Sequence, residues 1–188
     1  MPKGPVIRPP FVHFSQTTHG KRRPLYFVFH TTESNDAATV EEIASYLQNR
    51  TPGYGINYIT QANGRCGSIG DFFAETWHVE QHNNSCIGNE QVGTYKRSRT
   101  AWYLHLRQLW ASAWIAAWVS QELDIPLRIG ALNRRWVASS GFCQHRDVPD
   151  NDHVDCGDGF PMVWVLGRAR AWCEGGVPVW VRRAVPKP

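Results

Sequence analysis

Two periodicities alternate along the chain. Leu25 to His30 (LYFVFH) is an almost unbroken apolar run bounded by polar residues, the pattern of a strand buried on both faces, and its last residue is a histidine. After the polar stretch TTESNDAAT, Thr39 and Glu42 have the spacing of a capping box. Val40, Ile43, Ala44 and Leu47 then fall at helical intervals, which predicts a helix to about Arg50. Gly53 and Gly55 break the chain before INYIT. The Asn63-Gly64 pair between INYIT and RCGSIG predicts a β-hairpin, because both residues tolerate positive φ. Trp102, Leu106, Trp110, Trp114 and Trp118 recur at a helical interval, with Leu109 and Ala113 widening the stripe. One long helix is expected from Thr100 to Asp124, stopped by Pro126, with its tryptophan face in the core.

The remaining segments are less periodic. Residues 1–24 are Pro-rich and basic and read as an extended arm. GFCQHRDVPDNDHVDCGDGFP, from Gly141, reads as a polar loop, MVWVLGRARAWC as a last helix, and residues 176–188 as a linker-like tail. Strands alternating with helices predict an α/β fold, a single domain with a central mixed β-sheet flanked by helices over residues 25–175.

Composition narrows the class. The 188 residues, 42% apolar and 12% aromatic, suffice for one domain with a substantial core and not for two. The charge-free stretch between Arg107 and Glu122 is punctuated by Gln108, Ser112, Ser120 and Gln121 and is too short to span a bilayer, so no membrane insertion is expected. MPKGPVIRPPF has no apolar h-region, so no signal peptide is expected. A net charge of +4 suits nucleic acid, an anionic cell envelope or plain solubility, and does not choose among them. Five cysteines without a C-x-x-C pair favour buried thiols over a disulfide framework.

The candidate chemistry is concentrated in two places. His30 ends a buried strand, where α/β folds carry functional groups. His145, Asp147, Asp150, Asp152, His153, Asp155, Cys156 and Asp158 crowd a single loop. His13, His19 and His105 read as surface or packing residues. A hydrolytic zinc site needs three protein ligands and an open fourth position, which His30, His145 and Asp155 could supply. Neither H-E-x-x-H nor C-x-x-C is present, so spacing alone leaves both a metal site and an ordinary polar loop open.

Four segments, FVFHTTES, INYITQANGRCGSIG, TWHVEQHNNSCIGNEQVG and QHRDVPDNDHVDCGDGFP, occur in this order. Together they resemble the zinc-dependent N-acetylmuramoyl-L-alanine amidases of the type 2 amidase and peptidoglycan-recognition-protein superfamily, in particular endolysin domains of phages of actinobacteria. The resemblance covers about Leu25 to Cys173. It implies that His30, His145 and Asp155 bind zinc, with Cys156 standing where relatives carry proline. Some relatives use a cysteine as third ligand, and the register favours Asp155. Glu90 matches a glutamate that serves as general base and proton carrier, and His153 falls where relatives place a lysine or another donor to the transition state. Trp77, His78 and Tyr58 are implied as substrate-binding groove residues, with a structural role as the alternative for Trp77 and a core role for Tyr58. Ile56 stands where several relatives have a tyrosine, with Tyr54 and Tyr58 close by.

The activity so implied is hydrolysis of the amide between N-acetylmuramic acid and L-alanine of peptidoglycan, by a monomer made in a host cytoplasm and acting on the cell wall. Two rivals are a non-catalytic peptidoglycan-recognition module of the same fold, and a nucleic-acid-binding domain using Lys96, Arg97 and Arg99 beside Trp102.

Overall fold

The computed structural model describes residues 6, 8–14, 23–50, 55–130 and 140–187. In chain order the elements are β1 (Phe11–His13), β2 (Tyr26–Thr31), α1 (Val40–Gln48), β3 (Tyr58–Thr60), β4 (Cys66–Ser68), β5 (Cys86–Gln91), α2 (Arg99–Leu104), α3 (Leu106–Leu123), β6 (Gly141–Gln144), α4 (Met162–Gly175) and α5 (Val179–Ala184). The strands form one sheet in the order β1-β4-β3-β5-β2-β6. Among the described residues only β3 and β4, the two arms of the hairpin, pair antiparallel. The expected α/β domain with a mixed sheet flanked by helices is the observed fold.

Side-chain alternation gives the sheet two different faces. Phe27, Phe29, Ile87 and Phe142 join Trp102, Leu109, Ile115 and Trp118 of α2 and α3 and Val165 and Ala169 of α4 in the main core. On the opposite face Tyr26, Val28, Cys86 and Cys143 pack with Val79 and Val148, while Ile59 packs with Val40 and Ile43 of α1. The capping box of α1 is present: Glu42 N donates to Thr39 Oγ1 at 3.2 Å and Thr39 N donates to Glu42 Oε2 at 2.8 Å. All five cysteines are free thiols.

Several expectations need correcting. The long helix is two, because the chain breaks at His105 (φ −105°, ψ 46°), whose Nε2 lies 3.1 Å from Asp36. Trp102, Trp114 and Trp118 stay buried on either side of the break, whereas Leu106, immediately after it, turns outward. The segment read as a linker-like tail contains α5. Val177, Val181 and Val185 recur every four residues and enter the main core, and Trp180 packs edge-on against Trp110 at 4.8 Å. Part of the N-terminal arm is built into the sheet as β1, with Val6 and Phe11 buried in the main core.

Two further strands escaped the hydrophobic pattern. The segment read as a polar loop from Gly141 begins with β6, a strand parallel to β2. CIGNEQ is also a strand, lying between β3 and β2. Its Asn89 and Gln91 lie on the core face, where Thr60 Oγ1 donates to Asn89 Oδ1 (3.0 Å) and Ser112 Oγ to Gln91 Oε1 (2.7 Å). Arg97 serves the same interior. It is buried over the Trp102 ring at 4.6 Å, with NH1 donating to Gln108 Oε1 at 3.0 Å and NH2 paired with Asp36. The basic patch imagined for nucleic acid therefore loses its central cation to the fold.

Candidate active site

The register of β2, β5 and β6 assembles the site. His30 is the Cα partner of Glu90, and Phe29 that of Gln144, so the C-terminal ends of these parallel strands bring His30, Glu90 and His145 to one edge of the sheet. His30 and Glu90 point away from α3, on the face that carries Tyr26, Val28 and Cys86. His145 opens a short 3-10 turn, His145–Asp147, directly after β6.

The loop beyond His145 is folded by its own polar groups. Gln144 N donates to Asp147 Oδ2 at 2.9 Å, the Asn151 amide donates to the Val148 carbonyl, and Arg146 N donates to the Asp155 carbonyl at 2.9 Å. The last of these bonds brings the start and end of the loop together and aims the Asp155 carboxylate at the histidines. Thr31 N also donates to Asp155 Oδ2, at 3.2 Å, tying the loop to the end of β2. Gly157, at φ 81°, lies so close to the Tyr95 carbonyl that a Cβ would collide with it.

Three donor groups converge. His30 Nδ1 lies 3.1 Å from His145 Nδ1 and 3.5 Å from Asp155 Oδ2, and His145 Nδ1 lies 3.3 Å from Asp155 Oδ1. Ligand atoms at about 2.0–2.1 Å around a tetrahedral divalent ion stand about 3.3–3.4 Å apart, so these residues fit three corners of such a site. All three residues are buried. Burial, then the neighbouring His30, pushes His145 down to about 4, so its imidazole is neutral and able to ligate at neutral pH. Burial acts to raise the Asp155 carboxyl, but hydrogen bonds from His145 and His30 outweigh it and hold the group well below the ordinary carboxylate range. Cys156, the rival third ligand, is fully buried and belongs to the main core.

The other expected residues fall into distinct places. Glu90 Oε2 is shut off from solvent without a hydrogen-bond partner, and burial, followed by the charges of Asp155 and Glu33, raises its carboxyl well above the ordinary range. A carboxylate so placed can accept a proton from a neighbouring water. His153 is 48% exposed on its side chain, stacks on the His145 ring at 3.8 Å, and has Nδ1 3.5 Å from Asp155 Oδ1. Trp77 is exposed beside His78.

Tyr58 is not brought to this site. It is the Cα partner of Asn89, hence on the face opposite Glu90, and is 1% exposed with its ring against Phe11 at 5.2 Å and Trp118 at 6.0 Å. Its surroundings are those of a core residue. Ile56 is likewise buried, and Tyr54 lies outside the described residues. The sequence reading missed a contact of His78, whose Nδ1 lies 3.0 Å from His30 Nε2. It also missed Glu33, whose carboxylate accepts from Thr31 Oγ1 (2.6 Å), Thr94 Oγ1 (2.9 Å) and Tyr95 N (2.9 Å) and so joins two loops at the site's rim. Only its place three residues after His30 could have flagged Glu33 in the sequence.

Comparison with known proteins agrees with this fold. The Amidase_2 family, described as N-acetylmuramoyl-L-alanine amidase, matches residues 20–158. The chain therefore belongs to the Amidase_2 family. Among solved structures, it is similar to the endolysin N-acetylmuramoyl-L-alanine amidase LysCS from Clostridium intestinale URNW, with a TM-score of 0.66, 15% identity, and 88% of this chain and 97% of that one covered. The Staphylococcus aureus hydrolase AmiA, solved in complex with its ligand, gives a TM-score of 0.69 at 18% identity, covering 93% of this chain and 90% of that one. The Ph2119 endolysin of Thermus scotoductus MAT2119 bacteriophage Ph2119 gives 0.60 at 14% identity, covering 82% and 89%. No curated protein sequence matches the chain. Among the described residues no helix is long and apolar enough to cross a membrane.

Proposed function

We propose that the chain is a zinc-dependent amidase that cleaves the bond between the lactyl group of N-acetylmuramic acid and L-alanine in peptidoglycan, acting on the bacterial cell wall in the manner of an endolysin. The observation that carries this reading is the triangle of His30 Nδ1, His145 Nδ1 and the Asp155 carboxylate, with edges of 3.1–3.5 Å, in a chain of the amidase family. When bound there, zinc supplies Lewis-acid chemistry: a water acidified toward a pKa of about 7 and a polarised carbonyl.

The chain's own residues do the rest. Glu90, whose Oε2 has no other partner, takes the proton of the attacking water and passes it to the departing amine of L-alanine. His153, at the exposed rim of the triangle, donates an N–H to the carbonyl oxygen as negative charge develops on it. The exposed Trp77 indole offers an apolar wall to a sugar or peptide. The test is release of new L-alanine N-termini from purified peptidoglycan, with and without a chelator. Release that a chelator stops and zinc restores is expected. Release of reducing sugar ends instead would move the cut to the glycan, and no release at all would remove the enzymatic reading.

A further inference from the structure

A histidine offers a metal either of two nitrogens, and the hydrogen bond made by the other decides which one carries the proton. The two histidines of the triangle differ here. His30 turns Nδ1 toward His145 and Asp155 and Nε2 toward His78 Nδ1, at 3.0 Å, the two rings standing at 77°. His78 in turn places Nε2 3.4 Å from the Cys86 carbonyl. A carbonyl can only accept, so His78 Nε2 carries the proton and His78 Nδ1 is the acceptor. When His30 gives its Nδ1 lone pair to a metal instead of a hydrogen bond to Asp155, this chain places the ring proton on Nε2. His145 Nε2 is buried without a hydrogen-bond partner.

We propose that His78 is a positioning residue: the chain from His30 Nε2–H to His78 Nδ1, and from His78 Nε2–H to the Cys86 carbonyl, fixes the tautomer and ring plane in which His30 meets the metal. The inference rests on the zinc reading above and assigns His78 a task other than lining a groove. The surroundings of His78 are built to hold it. Asn83 Oδ1 accepts from both His78 N and Val79 N at 2.8 Å, pinning the backbone beneath the ring. Gly88, next to Glu90's neighbour on β5, leaves the space the ring occupies, since a Cβ there would collide with the His78 ring and with Ile56. The ring is thus clamped between a bare strand segment and His30, where a purely substrate-contacting side chain would need no such fit.

The test compares zinc affinity, measured by competition with a chromogenic chelator, in the parent, His78→Leu and His78→Asn. Asparagine keeps an acceptor, Oδ1, at the place of Nδ1. Loss of such an outer partner costs about 10- to 100-fold in metal affinity, so His78→Leu is expected to weaken zinc binding by that factor and His78→Asn to restore most of it. Nitrogen-15 NMR of the zinc-loaded parent, which needs no variant, is expected to show His30 protonated at Nε2 and ligated through Nδ1. Parental zinc affinity in a folded His78→Leu protein, or a His30 ligated through Nε2, would overturn the positioning role while leaving the zinc reading intact. A parent that binds no zinc would overturn both.

Discussion

The site has two halves that are held in place by different means. His30 and Glu90 stand on adjacent central strands, paired in register and buried on both faces, so their separation is set by the sheet itself. His145 lies just past an edge strand, and Asp155 and His153 lie on a loop kept in shape by side-chain to backbone bonds and by a glycine fitted against Tyr95. In the strand half the backbone positions of His30 and Glu90 can fail only if the sheet fails. The loop half can fail alone, and Thr31 N to Asp155 Oδ2 is the bond that couples them.

The largest expected effects ignore this division. Single replacement of His30, His145 or Asp155 by alanine should strip the metal and abolish amide cleavage in every case, because a three-ligand site does not care which element supplies the missing corner. Metal analysis of the purified variants checks this, and an active, metal-replete variant of any one would remove that residue from the triangle. Glu90→Gln comes next. It should keep zinc and fold yet slow turnover by about two orders of magnitude or more, since the near-isosteric amide cannot accept a proton. An unchanged rate would make Glu90 scaffold.

The third prediction separates the halves. Gly157→Ala should weaken metal binding through the loop and lower stability by about 1–3 kcal/mol, because it combines an unfavourable φ with a clash against the Tyr95 carbonyl. Denaturant titration beside zinc competition measures both. If affinity is untouched, the loop is not what aims Asp155. The smallest effect belongs to neither half: Thr39→Ala removes the cap of α1, with an expected cost of about 1 kcal/mol and no change in turnover.

The sequence was most legible where burial is uniform or chemistry is dense. The apolar run ending in His30, the Thr39/Glu42 box, the Asn63-Gly64 turn and the stripe of Trp114 and Trp118 all carry a period or a turn chemistry that the fold obeys. What stayed hidden depends on partners remote in the chain. Asn89, Gln91 and Arg97 look like surface residues until Thr60, Ser112 and Gln108 arrive to hydrogen-bond one polar atom of each. Tyr58 was open between groove and core because strand parity cannot be read from three residues without knowing their neighbours. The break at His105 depends on Asp36, far upstream, and α5 was masked by flanking prolines and glycines that resemble a linker.

Zinc-edge X-ray absorption of the metal-loaded protein tests the central claim most directly. The account predicts a coordination shell of nitrogen and oxygen alone at about 2.0–2.2 Å, from His30, His145, Asp155 and solvent. A sulfur scatterer at about 2.3 Å would show Cys156 drawn out of the core to the metal, and would contradict the assignment of Asp155 as the third ligand.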